Sequence, residues 1–410
     1  MGGTNKAKST EEVVAPKHGL RSVFQMSTLR RIPLSTLSIA ALYLIVLVAG
    51  TIAGVELTFL ISGSLAWFCL WALFVLSNVP TIQAGMGPNF ALPIGIAIGV
   101  FSMVISMGVL ELAGWMLIIA ATLIAAFLGC GAGALYGRLL NAVKGSEMAI
   151  ATYTGFAAVF LFSLVWVTIQ VRHEEMTWFL IPGLRQTISL APFEANFILT
   201  NLWQFTIFPN EIINAETGET IRRFIALQGD SGYFDYYLME HVGETTLQGG
   251  IVIRTGEKLV IFVAAILMWM FFRTKRGVAI SAVGSNPVFS KATGVDVDKS
   301  RITATMISTV LGALGIIVYA QGFGNLQLYD APLMMSFPVV ASVLVGGATA
   351  QRAKVANVII GTLLFKGLMF VSMPVLIRIF PGTQVVDPIR MVIQYSVILY
   401  ALTRMKGGGN

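Results

Sequence analysis

Apolar runs of about twenty residues recur from one end of this chain to the other, and that is the length a helix needs to cross a bilayer. Between them the charges are few: 11% of the 410 residues are Asp, Glu, Lys or Arg, where a soluble chain carries about a quarter. These two features make the chain an all-α polytopic membrane protein. The apolar segments lie near 38–55, 58–76, 92–110, 114–136, 148–170, 259–272, 303–321, 336–347, 355–375 and 389–403, which predicts about ten transmembrane helices. The first run follows a polar, basic stretch, is too long for a signal-peptide core and lacks a small-residue cleavage site, so it reads as a retained span.

The loops orient these spans, because short segments rich in Lys and Arg stay on the cytoplasmic side. Basic residues gather before the first span (Lys6, Lys8, Lys17, Arg21, Arg30, Arg31) and again at Arg138, Lys144, Arg273, Lys275, Arg276, Lys291, Lys299, Arg301, Arg352 and Lys354. The long segment 171–258 is mainly acidic. Parity and charge then agree on cytoplasmic N- and C-termini. The expected organisation is a cytoplasmic segment 1–36, spans one to five in 37–170, an extracytoplasmic insertion 171–258, spans six to ten in 259–404 with a cytoplasmic loop 273–302, and a tail 405–410. The net charge of +7 is thereby a topology signal with some attraction to anionic lipid, and no nucleic-acid partner is expected. Cys69 and Cys130 sit in apolar runs, and His18, His173 and His241 have no metal-ligand spacing. In 171–258, acids mix with aromatics such as Trp178, Trp203 and Tyr233, a composition suited to a small folded cap on the spans.

Two places break the helical pattern. Between the second and third runs stand Pro80, Gly85, Gly87 and Pro88; a second set (Gly322, Gly324, Pro332, Pro338) follows the seventh. Unwound backbone at membrane depth survives only when buried in protein or lining a cavity, and paired breaks are the expected pointer to a transport path. Gln83 and Asn89 are the polar candidates to line it; an ordinary surface loop is the alternative. Lys366 is a further candidate, about 16 Å into the ninth run at a helical rise. With no acid in a neighbouring span, a lysine stem that snorkels to an interface is the simpler expectation for it.

The most specific segment is Gly277 to Arg301, GVAISAVGSNPVFSKATGVDVDKSR. Asn286 suits an N-cap with Pro287 at the first helical position, and Gly294 suits a left-handed stop, so a short helix is expected over 287–293. The spacing of Gly277, Ala282, Gly284, Asn286, Ala292, Gly294, Val295, Val297 and Lys299 resembles the cytoplasmic loop of ABC importer permeases of the ribose, galactose, autoinducer-2 and nucleoside (branched-chain-like) family. Gly131 to Ala157, with Ser146-Glu147-Met148, and Val339 to Thr349 are also similar to that family. Gln351-Arg352-Ala353-Lys354 and the stretch AGMGPNF depart from it.

The resemblance implies a permease subunit of a bacterial ABC importer in the inner membrane, passing a simple sugar or a nucleoside. It implies that Gly284, Asn286, Pro287, Ala292, Gly294 and Val295 belong to a coupling helix that docks on an ATPase subunit. It further implies a second permease copy or homologue and an extracytoplasmic solute-binding protein. No Walker lysine motif occurs, so ATP and Mg belong to the partner subunits, with no cofactor on this chain. Two other classes compete: an ion-coupled secondary transporter, which would want carboxylates deep in a span, and an integral membrane enzyme, which would want a catalytic constellation.

Overall fold

A computed structural model describes residues 33–169, 171, 173–177, 183–199, 202 and 255–405 except 383, with the backbone of short strands between 204 and 254. The N-terminal segment through Ile32, the tail after Met405, and the aromatic stretch 233–237 lie outside the described residues.

Each of the ten apolar segments is helical. They form α1 (Leu34–Ile52), α2 (Leu57–Gln83), α3 (Leu92–Gly108), α4 (Gly114–Ala142), α5 (Glu147–Thr168) and α6 (Thr255–Phe271) in the first part. After α6 come two short helices, α7 (Lys275–Ser285) and α8 (Pro287–Ala292). Then follow α9 (Val297–Phe323), α10 (Asp330–Met334), α11 (Ser336–Val345), α12 (Val355–Ile379) and α13 (Val386–Met405). Six of them (α1, α2, α4, α5, α9 and α12) are by themselves long and apolar enough to cross a membrane. Helix α3, at 17 residues, rises only about 25 Å. Helices α6 and α7 join at a 75° bend and count as one broken span at most.

The helices sort into an inner and an outer set. About six-tenths of the apolar windows of α2, α9 and α12 are buried (56%, 61% and 61%), against 17% for α1 and α5. Small residues let α9 sit so centrally. A Cβ added at Gly99 of α3 would stand 2.3 Å from the Ala313 carbonyl oxygen, and one at Gly133 of α4 would stand 2.7 Å from Met306 Cα. Close backbone approach of this kind is how helices associate where hydrophobicity gives no drive.

The chain gathers its loops at two ends. At one end Thr36 Oγ1 donates to the Val345 carbonyl at 2.7 Å, Lys144 pairs with Asp298 at 2.6 Å, and the Gln83 side chain donates to the Ala353 carbonyl. This end carries Arg273, Lys275, Arg276, Lys291, Arg352 and Lys354. At the opposite end Arg378 Nε donates to the Ala53 carbonyl at 3.1 Å, and residues 183–199 pack under the bundle with Leu184, Ile188, Leu190 and Phe193 buried.

Both breaks are present, one toward each end. The first spans 84–91; α2 runs on through Pro80 to Gln83 before it unwinds, the proline forgoing the one intrahelical bond that its missing N–H would have made to the residue four before it. The second follows Gly324, where φ is +76°. There β1 (Thr187–Ser189) pairs antiparallel with β8 (Asn325–Gln327), Ile188 opposite Leu326. The Phe197 N–H donates to the Gln321 carbonyl at 2.9 Å, so the segment after α5 supplies the partners that the unwound end of α9 lacks. The strands between 204 and 254 form two three-stranded sheets, β5-β2-β7 and β4-β3-β6, from β2 (Gln204–Ile207), β3 (Glu211–Asn214), β4 (Thr220–Ile221), β5 (Ile225–Gln228), β6 (Thr245–Gln248) and β7 (Ile251–Arg254).

Candidate functional site

At the basic end, α7 and α8 form a bent lever between α6 and α9. Thr274 caps α7, its hydroxyl oxygen accepting the Gly277 N–H at 3.3 Å. Asn286 Oδ1 accepts the Phe289 N–H at 2.9 Å and so caps α8, with Pro287 at the first helical position. Helix α8 stops before Gly294, whose φ is +85°, a conformation cheap only for glycine. Asp296 then caps α9 by accepting the Lys299 N–H at 3.0 Å. That bond, with the adjacent Lys299 ammonium, holds the Asp296 carboxyl below the usual carboxylate range.

The lever presents an apolar tip. Val288 is 78% and Phe289 66% exposed, and Val288 is part of the wall of a groove of about 810 Å³ lined also by Gly85, Glu147, Gly284, Lys291 and Arg301. Pro287, Ala292 and Val295 line it as well. Val288 and Phe289 are not among the residues singled out from the sequence; their signal there is an apolar pair inside an otherwise polar, basic stretch.

The floor of the groove is tied down. Arg301, at the start of α9, pairs with Glu147, at the start of α5; both side chains are largely buried. Glu147 Oε2 also accepts the Gly145 N–H at 2.8 Å. A buried pair of this kind costs several kcal/mol to break by removing one partner (about 3–5). The exposed Lys144–Asp298 pair beside it contributes about 1 kcal/mol or less.

The groove touches the first break. Gly284 of α7 lies directly on the backbone at Gln83 and Gly85. Gln83 is partly buried and its side chain is taken up by the Ala353 carbonyl. Asn89 is 3% exposed and sits in a hydrogen-bonded knot. Its backbone N–H donates to Asn78 Oδ1 at 2.8 Å, and its Nδ2 donates to Ser308 Oγ of α9 at 2.8 Å. Its Oδ1 accepts from the Ala91 N–H at 3.0 Å and from the Tyr136 hydroxyl of α4 at 3.2 Å. The break is thus neither a solvated loop nor a bare wall: it is buried backbone whose polar groups are satisfied by three helices.

Lys366 does not snorkel. It is 2% exposed, and its Nζ stands 3.0 Å from the centroid of the Trp71 ring on α2. Among the described residues no carboxylate lies within ion-pair distance of it. The stem cannot reach an interface because both α2 and α12 place these residues near their midpoints. An ammonium at such depth costs about 2.5–3.5 kcal/mol at the least; a desolvated cation–π contact returns about 2.

One carboxylate is also deeper than expected. Glu257, counted with the acids of the insertion, is fully buried in the first turn of α6. Its Oε1 lies 2.4 Å from where a Cβ on Gly322 would stand.

Comparison with known proteins accords with this arrangement. The family described as branched-chain amino acid transport system / permease component matches residues 60–402, a range that holds both breaks, α8 and Lys366. Nucleoside ABC transporter permease protein NupC of Lactococcus lactis subsp. cremoris (strain MG1363) is 29% identical over 111 residues, 27% of this chain and 34% of that protein. NupB of the same organism is 30% identical over 106 residues, 25% of this chain and 29% of that protein. The chain spans about a third of the length of the curated relatives it matches. No solved structure matches. Since the matched range takes in most of the helices described above, the chain belongs to the branched-chain amino acid transport system / permease component family.

Proposed function

We propose that this chain is the membrane-spanning permease subunit of a bacterial ABC importer for a small polar solute, a simple sugar or a nucleoside. It crosses the inner membrane ten times with both termini in the cytoplasm, α3, α6, α11 and α13 completing the six long spans. It works as a dimer with a second copy or a homologue. An extracytoplasmic solute-binding protein delivers solute beside the insertion, and ATPase subunits holding ATP and Mg dock at the basic end. The permease itself catalyses no reaction.

The observation that carries this reading is α8: a doubly capped, six-residue helix with Val288 and Phe289 exposed. Its preceding helix rests on the first break through Gly284. Force applied to α8 reaches the unwound backbone 84–91 through that contact and reaches α9 through the Asp296 cap. Gly284, Asn286, Pro287, Ala292, Gly294 and Val295 thereby serve coupling.

A tagged chain should copurify an ATPase from its native membrane. Replacing Gly294 by Val forces a β-branched residue to φ +85° with no neighbour within 4 Å to clash, so the effect is confined to the stop of α8. ATPase stimulation by solute should fall while the chain still inserts. Full stimulation at normal complex yield would remove α8 from coupling.

An ion-coupled secondary transporter is favoured by one observation, the buried Glu257 beside the second break. Uptake abolished by a protonophore, with no ATPase copurifying, would establish that reading instead.

A further inference from the structure

We propose that Trp269, Arg273, Lys275 and Arg276 form a seat for the phosphate headgroup of an anionic phospholipid of the cytoplasmic leaflet, at the bend between α6 and α7. The inference rests on the membrane orientation proposed above and adds a ligand distinct from solute and ATPase.

Helix α6 has an inner and an outer face. Glu257, Ile261 and Met268 are buried, while Phe262, Ile266 and Trp269 are exposed. These last three follow one another at helical spacings of four and three, so they form one stripe. Helical bonding continues past Phe271: the Phe272 N–H donates to the Met268 carbonyl at 3.1 Å and the Arg273 N–H to the Met270 carbonyl at 2.9 Å. Arg273 therefore ends the same stripe, and its guanidinium lies over the Trp269 ring, 3.7 Å from the centroid. The chain then turns through 75°, and Lys275 and Arg276, both exposed, open α7.

No described acid neutralises this patch. Glu147, Asp296 and Asp298, the acids described at this end, are taken by Arg301, Lys299 and Lys144. Among the described residues Arg273, Lys275 and Arg276 make no ion pair. The first turn of α7 contains no acid, so its two cations also oppose the positive end of that helix's dipole. A phosphate among these like charges relieves their repulsion, and Trp269 holds the Arg273 guanidinium by its face, leaving the N–H edge to grip phosphate oxygens.

The apolar stripe selects a lipid as the source of that phosphate. Helix α6 has 17 residues and rises about 25 Å, so acyl chains can run along Phe262 and Ile266 while Trp269 sits at headgroup depth, where tryptophan concentrates. A soluble phosphate would leave the stripe uncovered. A second copy suits this face badly: both copies share one orientation in the membrane, and a two-fold contact here would set three cations against three at the same depth.

The test is native mass spectrometry of the purified full chain in detergent, titrated with phosphatidylglycerol or with phosphatidylcholine. Wild type should prefer phosphatidylglycerol. Each basic residue near an anionic membrane surface strengthens binding about fivefold. Arg273→Gln, Lys275→Gln and Arg276→Gln together should therefore weaken phosphatidylglycerol binding about a hundredfold and leave phosphatidylcholine unchanged. Trp269→Leu keeps every charge and the apolar stripe, so it should insert as wild type does; loss of the stacking contact should weaken phosphatidylglycerol about two- to fivefold. Arg352→Gln, at an exposed cation of the same end, should change nothing. Equal affinity of wild type for the two lipids, an undiminished preference in the triple variant, or wild-type affinity in Trp269→Leu overturns the seat. Glycerol phosphate that displaces the lipid at equal concentration assigns the patch to a free phosphate and overturns the lipid. A disulfide between two copies through Trp269→Cys, with Cys69 and Cys130 replaced, puts protein on this face and overturns it too. Lipid binding as expected with no copurifying ATPase is a different failure, that of the transport reading alone.

Discussion

Gly284 of α7 lies against Gln83 at the end of α2 so closely that a Cβ on Gly284 would stand 2.0 Å from the Gln83 carbonyl oxygen. The two residues are far apart in sequence, yet this contact joins the lever at the basic end to the first break in the spans. Whatever moves α7 must move the backbone at 84–91 or separate from it.

Gly284→Ala is accordingly the sharpest test of that contact. The methyl meets backbone, which cannot rotate away as a side chain would, and overpacking of this kind costs about 1–3 kcal/mol. The purified chain should melt at a lower temperature than wild type and yield less complex with its ATPase. A variant of wild-type stability would mean that α7 stands off from Gln83 in the membrane.

Asn89→Leu should destabilise the protein rather than merely slow its transport. Leucine has the same branching, though more bulk, and strands Ser308, the Tyr136 hydroxyl and the Ala91 N–H, each bonded to the Asn89 side chain. Buried groups left unpaired cost about 1–3 kcal/mol each. Ser308→Ala, which strands only one Asn89 N–H, should lose about a third as much by the same reasoning. Thermal melts of the two variants compare them directly; an unshifted Asn89→Leu melt would release Asn89 from this knot.

Asp296 gives a dependence on pH. Its carboxyl is held low by the Lys299 backbone N–H it accepts and by the Lys299 ammonium. A depressed carboxylate contributes stability that is fully present above its unfolded pKa of about 3.9 and is lost as pH falls through the folded value. Asn also caps helices, so Asp296→Asn should melt like wild type near neutrality and lose less than wild type under acid. Parallel acid losses would show that other carboxylates govern this branch.

Topology can be read by chemical labelling. With Cys69 and Cys130 replaced, a cysteine at the exposed Ala191 should react with an impermeant thiol reagent added outside intact cells, and one at Lys291 should not. The opposite pattern would invert the chain and put the ATPase on the wrong side of it.

Sequence alone settled the class of molecule, the place of each long apolar helix and the local design of α8. Twenty-residue apolar runs have few alternatives to a membrane helix, and Asn286-Pro287 and Gly294 act through their own backbones. These are local effects, so they are written locally. The tertiary structure decided what no spacing could carry: that Gly284 seats on Gln83, that Asn89 is consumed by Ser308 and Tyr136, and that Lys366 lies on Trp71 instead of reaching an interface. It also set which apolar runs are inner spans and which are too short to cross alone. Each of these depends on helices far apart in sequence meeting at one depth. Their close packing comes from small residues and buried polar pairs, whose partners become known only when the helices are together.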